Sequence, residues 1–391
     1  MSFWAALIIL FAIGLNAGYA GLLFWLLKDY RPRFIVVAVW LWAFLMSALF
    51  ALQFFAPPTW TSFLRHWFYF PLAVQMVWNI LFTLTLVPGL ILTLLIVRRL
   101  RRTERPVPLE NEGLSRRKFL YLLSYGAAPS AALGMGVHGT LTNHELRVRQ
   151  LSIPIAGLPP ELEGFTIAHV SDLHVGVFCG PTRLDIIREA ANDLKVDLMT
   201  ITGDIINHAM AEFPIALKMI QGLESRYGTY LCEGNHDLIP GFGMVRAACA
   251  ENNLSMLYNS RVIIPVNGRR LLLGGLPWMR GGFENMPQVV GNLYPERQEG
   301  DVRVLMAHHP HLFDIAESAD LILSGHTHGG QIMLDETTGL GPLFFKYWSG
   351  LYQRGKTSMV VSNGCGDWFP CRIGAPAEIG LLRLTAVPVL R

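Results

Sequence analysis

The stretch FTIAHVSDLH, residues 165–174, runs through apolar residues and stops on Ser171, Asp172 and His174. A short apolar run rich in β-formers and ended by polar residues reads as a buried strand with a functional loop at its C-terminal end. The pattern recurs in VDLMTITGDI (196–205), GTYLCEGNHD (228–237), VRVLMAHHP (302–310) and LILSGHTHGG (321–330). Between several of these, TRLDIIREAANDLK, FPIALKMIQGLESR and HLFDIAES have helical spacing. Strands alternating with helices define an α/β architecture, and such sheets bind ligands at the carboxyl ends of their strands. Five strand ends are therefore expected to converge on one place. Further strands are expected in SRVIIPVNGRRLLLGGL, with a hairpin turn at Asn267-Gly268, and in TSMVVSNGCG and AEIGLLRLTA.

The residues gathered at those ends are Asp172, His174, Asp204, Asn235, His236, Asp237, His308, His309, His311, His326 and His328. Carboxylate oxygens, imidazole nitrogens and one amide oxygen suit Mn, Fe or Zn better than Mg or Ca alone. The set contains no thiolate, which argues against a structural zinc site of the cysteine type.

In order along the chain, D-x-H, G-D, G-N-H-D, a later H and G-H-x-H resemble the five motif blocks of the calcineurin-like metallophosphoesterases. The version here most resembles the bacterial subgroup of YkuE-like and YaeI-like phosphohydrolases, over about residues 150–385. The resemblance implies a four-layer α-β-β-α sandwich with a dinuclear centre of two divalent or mixed-valence transition-metal ions (Mn, Fe or Zn). Asp172, His174 and His328 would hold one ion, Asn235, His308 and His326 the other, and Asp204 would bridge. Residues two apart on an extended strand point the same way, which lets one loop present His326 and His328 to both ions. Two ions about 3.5–4 Å apart lower the pKa of a shared water and stabilise the oxygens of an in-line displacement. His236 is the implied catalytic group, protonating or hydrogen-bonding the leaving oxygen, with Asp237 either orienting it or a neighbouring histidine or standing as a plain loop aspartate. His309 is either a substrate or supporting residue or a surface polar group, and Asn363 in SNGCG is a candidate substrate contact. His169 is expected to be a packed core residue; His66, His138, His144 and His208 have no partner in the motif blocks.

The N-terminal third is of another kind. Residues 2–27, 34–56 and 67–97 contain no Asp, Glu, Lys or Arg. At about 1.5 Å per residue each is long enough for a helix to cross a hydrocarbon core. An all-α region of three transmembrane helices is expected over 1–100, followed by a basic cytoplasmic linker over 101–118. Residues 1–139 carry a net charge of +8 and the remainder −5. The basic residues flank apolar spans, so topology and not nucleic-acid binding accounts for them, and the positive-inside rule puts the N-terminus outside. Arg116 and Arg117 before Phe119-Leu120 resemble a twin-arginine export signal; the alternative is an ordinary fourth helix. Either way 119–139 leads outward, placing the 145–391 domain on the periplasmic or extracytoplasmic side of the inner (plasma) membrane. The uncharged Asn16, Gln53, Gln75 and Asn79 favour an anchor over a transport pathway. The odd set Cys179, Cys232, Cys249, Cys365 and Cys371 is no disulfide scaffold, although Cys365 and Cys371 can pair or stay free.

These expectations combine into a membrane-anchored phosphohydrolase. Tethering raises the effective concentration of membrane-bound substrates, so a lipid-linked or cell-envelope phosphate ester leads. GGLPWMRGGF (274–283) and GPLFFKYWSGLY (341–352) either meet the interface or pack the core. The alternatives are a UDP-diacylglucosamine-type nucleotide-lipid pyrophosphatase and a non-catalytic membrane sensor or scaffold.

Overall fold

The apolar runs of residues 146–386 assemble into two six-stranded sheets in the computed structural model of the protein. Described here are residues 145–278, 285–294, 296–368 and 372–386, with Gly134 and Gly139. The chain divides into two units, Met1–Thr140 and Leu141–Arg391. The three expected spans, the basic linker and, apart from the two glycines, the 119–139 segment lie outside the described residues, as does Cys371. Among the described residues no helix is long and apolar enough to cross a membrane.

The first sheet runs β1 (Leu146–Ile155), β12 (Ala377–Ala386), β2 (Thr166–Val170), β3 (Leu198–Thr202), β4 (Thr229–Cys232), β5 (Ser255–Met256). The second runs β10 (Gly350–Arg354), β11 (Thr357–Val361), β9 (Leu321–Ser324), β8 (Val302–Met306), β7 (Arg269–Gly275), β6 (Ser260–Val266). Strands β2 to β5 are mutually parallel, as are β7, β8, β9 and β11; β12 is antiparallel to β2, and β6 and β10 close the second sheet antiparallel. Parallel strands covered on both faces need continuous apolar sequence, and β3, β8, β9 and β11 are buried at every position.

Successive side chains of a strand face opposite ways, and this sorts the core into layers. Ile167, Leu198 and Leu382 of the first sheet pack between the sheets with Leu273, Val304, Leu323 and Val360 of the second. Their neighbours Ala168 and Met199 face outward onto α1 (Pro181–Asp193), α2 (Phe213–Gln221) and α3 (Met244–Glu251), which bury Ile187, Ile220 and Val245 there. On the far side α4 (Met286–Leu293) lays Met286, Val290 and Leu293 against Leu272, Leu305 and Ile322. The order is thus helix, sheet, sheet, helix. Burying each such side chain contributes about 1.5–3 kcal/mol.

The expected hairpin joins β6 to β7, with Asn267 at φ 50° and Gly268 at φ 84°; a two-residue turn of this hand needs positive φ at both positions. HLFDIAES does not form the expected α-helix. It makes a 3₁₀ turn over Pro310–Asp314 that ends as Ile315 reaches φ −131°. The Arg354 guanidinium takes the carbonyls of Phe313 and Asp314, satisfying them without a further helical turn.

Candidate metal centre

Each motif residue sits just past a strand: Asp172 and His174 after β2, Asp204 after β3, Asn235 and His236 after β4, His308 after β8, His326 and His328 after β9. Reaching a common point requires the chain to turn sharply there. Asp172, His174, Asp204, His326 and His328 have φ of 53°, 43°, 52°, 74° and 49°. A left-handed conformation costs a residue with a side chain about 1–2 kcal/mol, and such strain collects where a functional geometry is imposed on the backbone. Close approach also demands glycine. A Cβ on Gly325 would collide with Ser171 Oγ and Asp172 Oδ2, and one on Gly234 with the Asp204 amide and carboxylate.

The donors form three overlapping groups, Asp172/His174/His328, His174/Asp204/His236 and Asp204/His308/His326, with the ligand atoms of each within 4.8 Å of one another. Asp204 joins the groups: its Oδ2 lies 3.4 Å from His174 Nε2 and 3.2 Å from His308 Nε2. Asp172 Oδ1 is 3.3 Å from His328 Nε2, and the Nε2 atoms of His174 and His328 face each other at 3.1 Å. Asn235 Oδ1 lies 3.2 Å from His308 Nε2. The Nδ1–H of His308 donates to the Thr202 carbonyl at 2.6 Å, which leaves Nε2 as the ring nitrogen facing the cluster, the usual orientation of a ligating histidine.

Charge points the same way. Burial pushes the Asp172 carboxyl up, but His328 and His308 overcome it and hold it well below the carboxylate range. Asp204 is lowered against burial by His308 and His236. Burial lowers His174, and lowers His326 to about 3 with His308 adding to the effect. His308 alone of these is raised, to about 10, because Asp204 and Asp172 outweigh its burial. Ionised carboxylates facing neutral imidazoles are the protonation state that ligates a cation. The donor set therefore fits transition-metal ions, whose charge would take the place of the His308 proton.

His236 is half-buried beside this cluster, its ring 4.5 Å from that of His174. Its Nδ1–H donates to the Asn207 carbonyl at 2.7 Å. Asp237 does not supply that contact. Its fully buried carboxylate accepts the amides of Ile205 at 2.9 Å, Ile206 at 3.3 Å and Gly234 at 2.8 Å, bracing the turns after β3 and β4. His208, which the motif spacing leaves aside, stacks on His236 at 5.7 Å. The loop carrying Asn207 and His208 is held by Glu212, whose Oε2 accepts the amides of Asn207, His208 and Ala209.

The remaining candidates divide. His309 stacks on His326 at 5.1 Å and lies 5.2 Å from the Trp278 ring, at the rim of the cluster. Asn363 is fully buried, its side chain against Gly329 and Met333 and its amide on Glu378, which puts it behind the histidine turn. His169 is a buried core residue, as expected, and yet it reaches the centre. Its Nε2 is 2.8 Å from Thr202 Oγ1, which bonds Ser171 Oγ at 2.7 Å, which donates to Asp172 Oδ2 at 2.5 Å.

Sequence reasoning passed over Arg372 altogether. This buried guanidinium bonds Asp367, the carbonyls of Asn363, Gly366 and Ala375, and lies 3.2 Å from His328 Nδ1. The only signal available was a lone arginine in a glycine-rich segment. Aromatic rings complete the walls: Trp278 is 4.8 Å from His326, Phe345 is 5.7 Å from His326, and Trp368 is 6.4 Å from both His236 and His328.

A mixed two-sheet fold thus brings carboxylate and imidazole donors together at its strand ends in groups that could hold metal ions. Residues 165–330 match the family model described as calcineurin-like phosphoesterase. Over those residues the chain is similar to that family. An uncharacterized metallophosphoesterase of Helicobacter pylori is 31% identical over 243 residues, covering 61% of this chain and 64% of that protein. A Bos taurus protein named transmembrane protein with metallophosphoesterase domain is 30% identical, covering 62% of this chain and 57% of its own length. The uncharacterized metallophosphoesterase YkuE of Bacillus subtilis is 28% identical, covering 69% of this chain and 98% of its own. The match thus spans less than two thirds of the first two relatives.

Proposed function

We propose that this protein is a membrane-anchored phosphohydrolase that uses two transition-metal ions to cleave a phosphate ester, with lipid-linked or cell-envelope phosphates as its substrates. The observation that carries the reading is the position of Asp204, whose one oxygen faces both His174 and His308. A carboxylate shared between two sets of imidazoles suits a bridge between two ions. Bound there, the ions would neutralise the phosphate and make a water acidic enough to attack at neutral pH.

The chain's own groups do the rest. Asp172, His174 and His328 would hold one ion and Asn235, His308 and His326 the other. Asn207 keeps the Nδ1 proton of His236 engaged, so the ring presents Nε2 to the leaving oxygen and, when Nε2 also carries a proton, can deliver that proton there. The Trp278, Phe345 and Trp368 rings exclude water and offer an apolar surface to the ester substituents. Anchoring is supported by the three charge-free segments and by the Bos taurus relative, which is named a transmembrane protein.

The test is hydrolysis by the full chain in detergent, stripped of metal and then reloaded with Mn, Fe or Zn, against bis-p-nitrophenyl phosphate, p-nitrophenyl phosphate and a short-chain phospholipid. Metal-restored hydrolysis is expected, with the phospholipid preferred. Two bound ions and no turnover of any of the three would overturn the reading in favour of a sensor or scaffold.

A further inference from the structure

We propose that the edge of the domain bearing the metal centre seats on a lipid bilayer through a rim of exposed apolar side chains. The proposal goes beyond hydrolysis and holds whichever ester is cleaved. It stands on two independent features, the placement of the exposed apolar residues and the direction from which the chain enters the fold.

The first feature is the rim. Leu334, Phe242, Leu343 and Phe344 are 83%, 77%, 72% and 72% exposed, and Val177 and Ile239 are exposed as well. All six lie on loops that leave ligand-bearing strand ends. Val177 follows His174 by three residues, Ile239 and Phe242 follow His236 by three and six, and Leu334 follows His328 by six. A chain spans at most about 3.6 Å per residue, so each of these four lies within roughly 20 Å of a residue of the cluster. Leu343 and Phe344 directly precede Phe345, whose ring touches that of His326 at 5.7 Å. The opposite edge is different in kind, for the chain enters β8 through the polar run ERQEGD, residues 296–301. Large apolar side chains displayed at the tips of several loops on one edge mark an interaction surface.

The second feature names the occupant. β1 is parallel to β12, and β12 is antiparallel to β2, so β1 begins at the edge where β2 ends. Leu146 pairs with Ala377, three residues before Gly380, which lies opposite His169. The first residue of β1 is therefore level with the Ser171–Asp172 turn, at the metal centre. Arg147 fixes this entry by bonding Glu378 at 2.8 Å, and Glu378 in turn accepts the Asn363 amide beside the histidine turn. The chain that arrives there has just passed the largely apolar segment 119–139, and before it the three charge-free stretches of membrane-spanning length. A domain whose apolar rim and whose link to such segments lie on one edge meets a bilayer with that edge. Apolar side chains carried into the headgroup region would hold it there.

Nitroxide labels on the full chain in phosphatidylcholine/phosphatidylglycerol nanodiscs, one chain per disc, test this directly. They go on Phe242→Cys, Leu343→Cys and, on the opposite edge, Glu299→Cys. The wild-type chain labelled in parallel gives the background from its own cysteines, of which Cys179, Cys232, Cys249 and Cys365 are buried. The expected result is that the labels at 242 and 343 relax with oxygen and are shielded from a nickel chelate, with the ratio reversed at 299. Nickel access at 242 and 343 equal to that at 299 would overturn the proposal. Shielding that appears only when two chains share a disc would overturn it too, assigning the rim to a second copy. Hydrolysis of soluble bis-p-nitrophenyl phosphate by the same labelled chains reports the metal centre separately, so a failed docking and a failed hydrolase reading are distinguishable.

Discussion

The Nδ1 of His236 donates to the main-chain carbonyl of Asn207 at 2.7 Å, across 29 residues of sequence. Because a carbonyl can only accept, it fixes the proton on Nδ1 and turns Nε2 toward the cluster. His236→Ala is expected to keep its metal complement by elemental analysis while turnover falls by about 100-fold to 10,000-fold, the range for loss of a general acid. Empty protein would mean that His236 is a ligand and not the acid.

Asp204 is the opposite case. His174 and His308 both face its Oδ2, and its Oδ1 accepts the His236 amide at 2.7 Å. Asp204→Asn is expected to lose metal from both ligand sets along with turnover, since an amide brings neither the charge nor the second oxygen. Elemental analysis that still finds two ions per chain would remove the bridging assignment.

Arg372 gives a prediction about stability. Its removal leaves the Asp367 carboxylate and the carbonyls of Asn363, Gly366 and Ala375 buried without their donor. Breaking a buried ion pair on one side costs about 3–5 kcal/mol. Arg372→Ala is expected to lower the denaturant midpoint of the metal-free protein by a corresponding amount. Arg372→Lys should recover little, because one ammonium cannot reproduce a planar fork of donors. An unchanged midpoint would show that the 362–367 turn holds itself.

His169 gives a pH dependence. Burial lowers it from 6.5 to about 4 in the folded protein, with Asp172 opposing. The unfolded chain thus binds a proton that the folded chain refuses. The stability from a neutral His169 is complete above pH 6.5 and is lost as pH falls toward 4, by something of the order of 3 kcal/mol. Other buried histidines titrate as well, so the readout is a difference. Between pH 7 and 4 the metal-free His169→Gln variant should lose less stability than the wild type in denaturant titrations. Parallel losses would assign the proton elsewhere.

Much of the fold was legible because its signals are local. Each ligand-bearing strand is a short apolar run closed by its own polar residues, and the Asn267-Gly268 turn is encoded in two adjacent side chains. HLFDIAES misled because its helical spacing is real, while the competitor that captured its carbonyls, Arg354, comes 40 residues after Asp314. β1 went unread: its LRVRQLSIPI interleaves arginines with apolar residues and holds Pro154 next to its end, and its partner β12 lies at the far end of the chain.

By itself, the sequence determined which side chains could bind metal and that they would stand at strand ends, since residue type and alternation are properties of neighbouring positions. Only the tertiary structure divided those ends, with Asp172, Asp204 and Asn235 on one sheet and His308, His326 and His328 on the other. It also gave His236 to the Asn207 carbonyl in place of Asp237, set Arg372 behind His328, and brought the chain into the fold at the metal edge. Each of these depends on strand pairing or a hydrogen bond between distant residues. Such contacts form only once the two sheets have packed around their shared apolar core, and no local pattern records them.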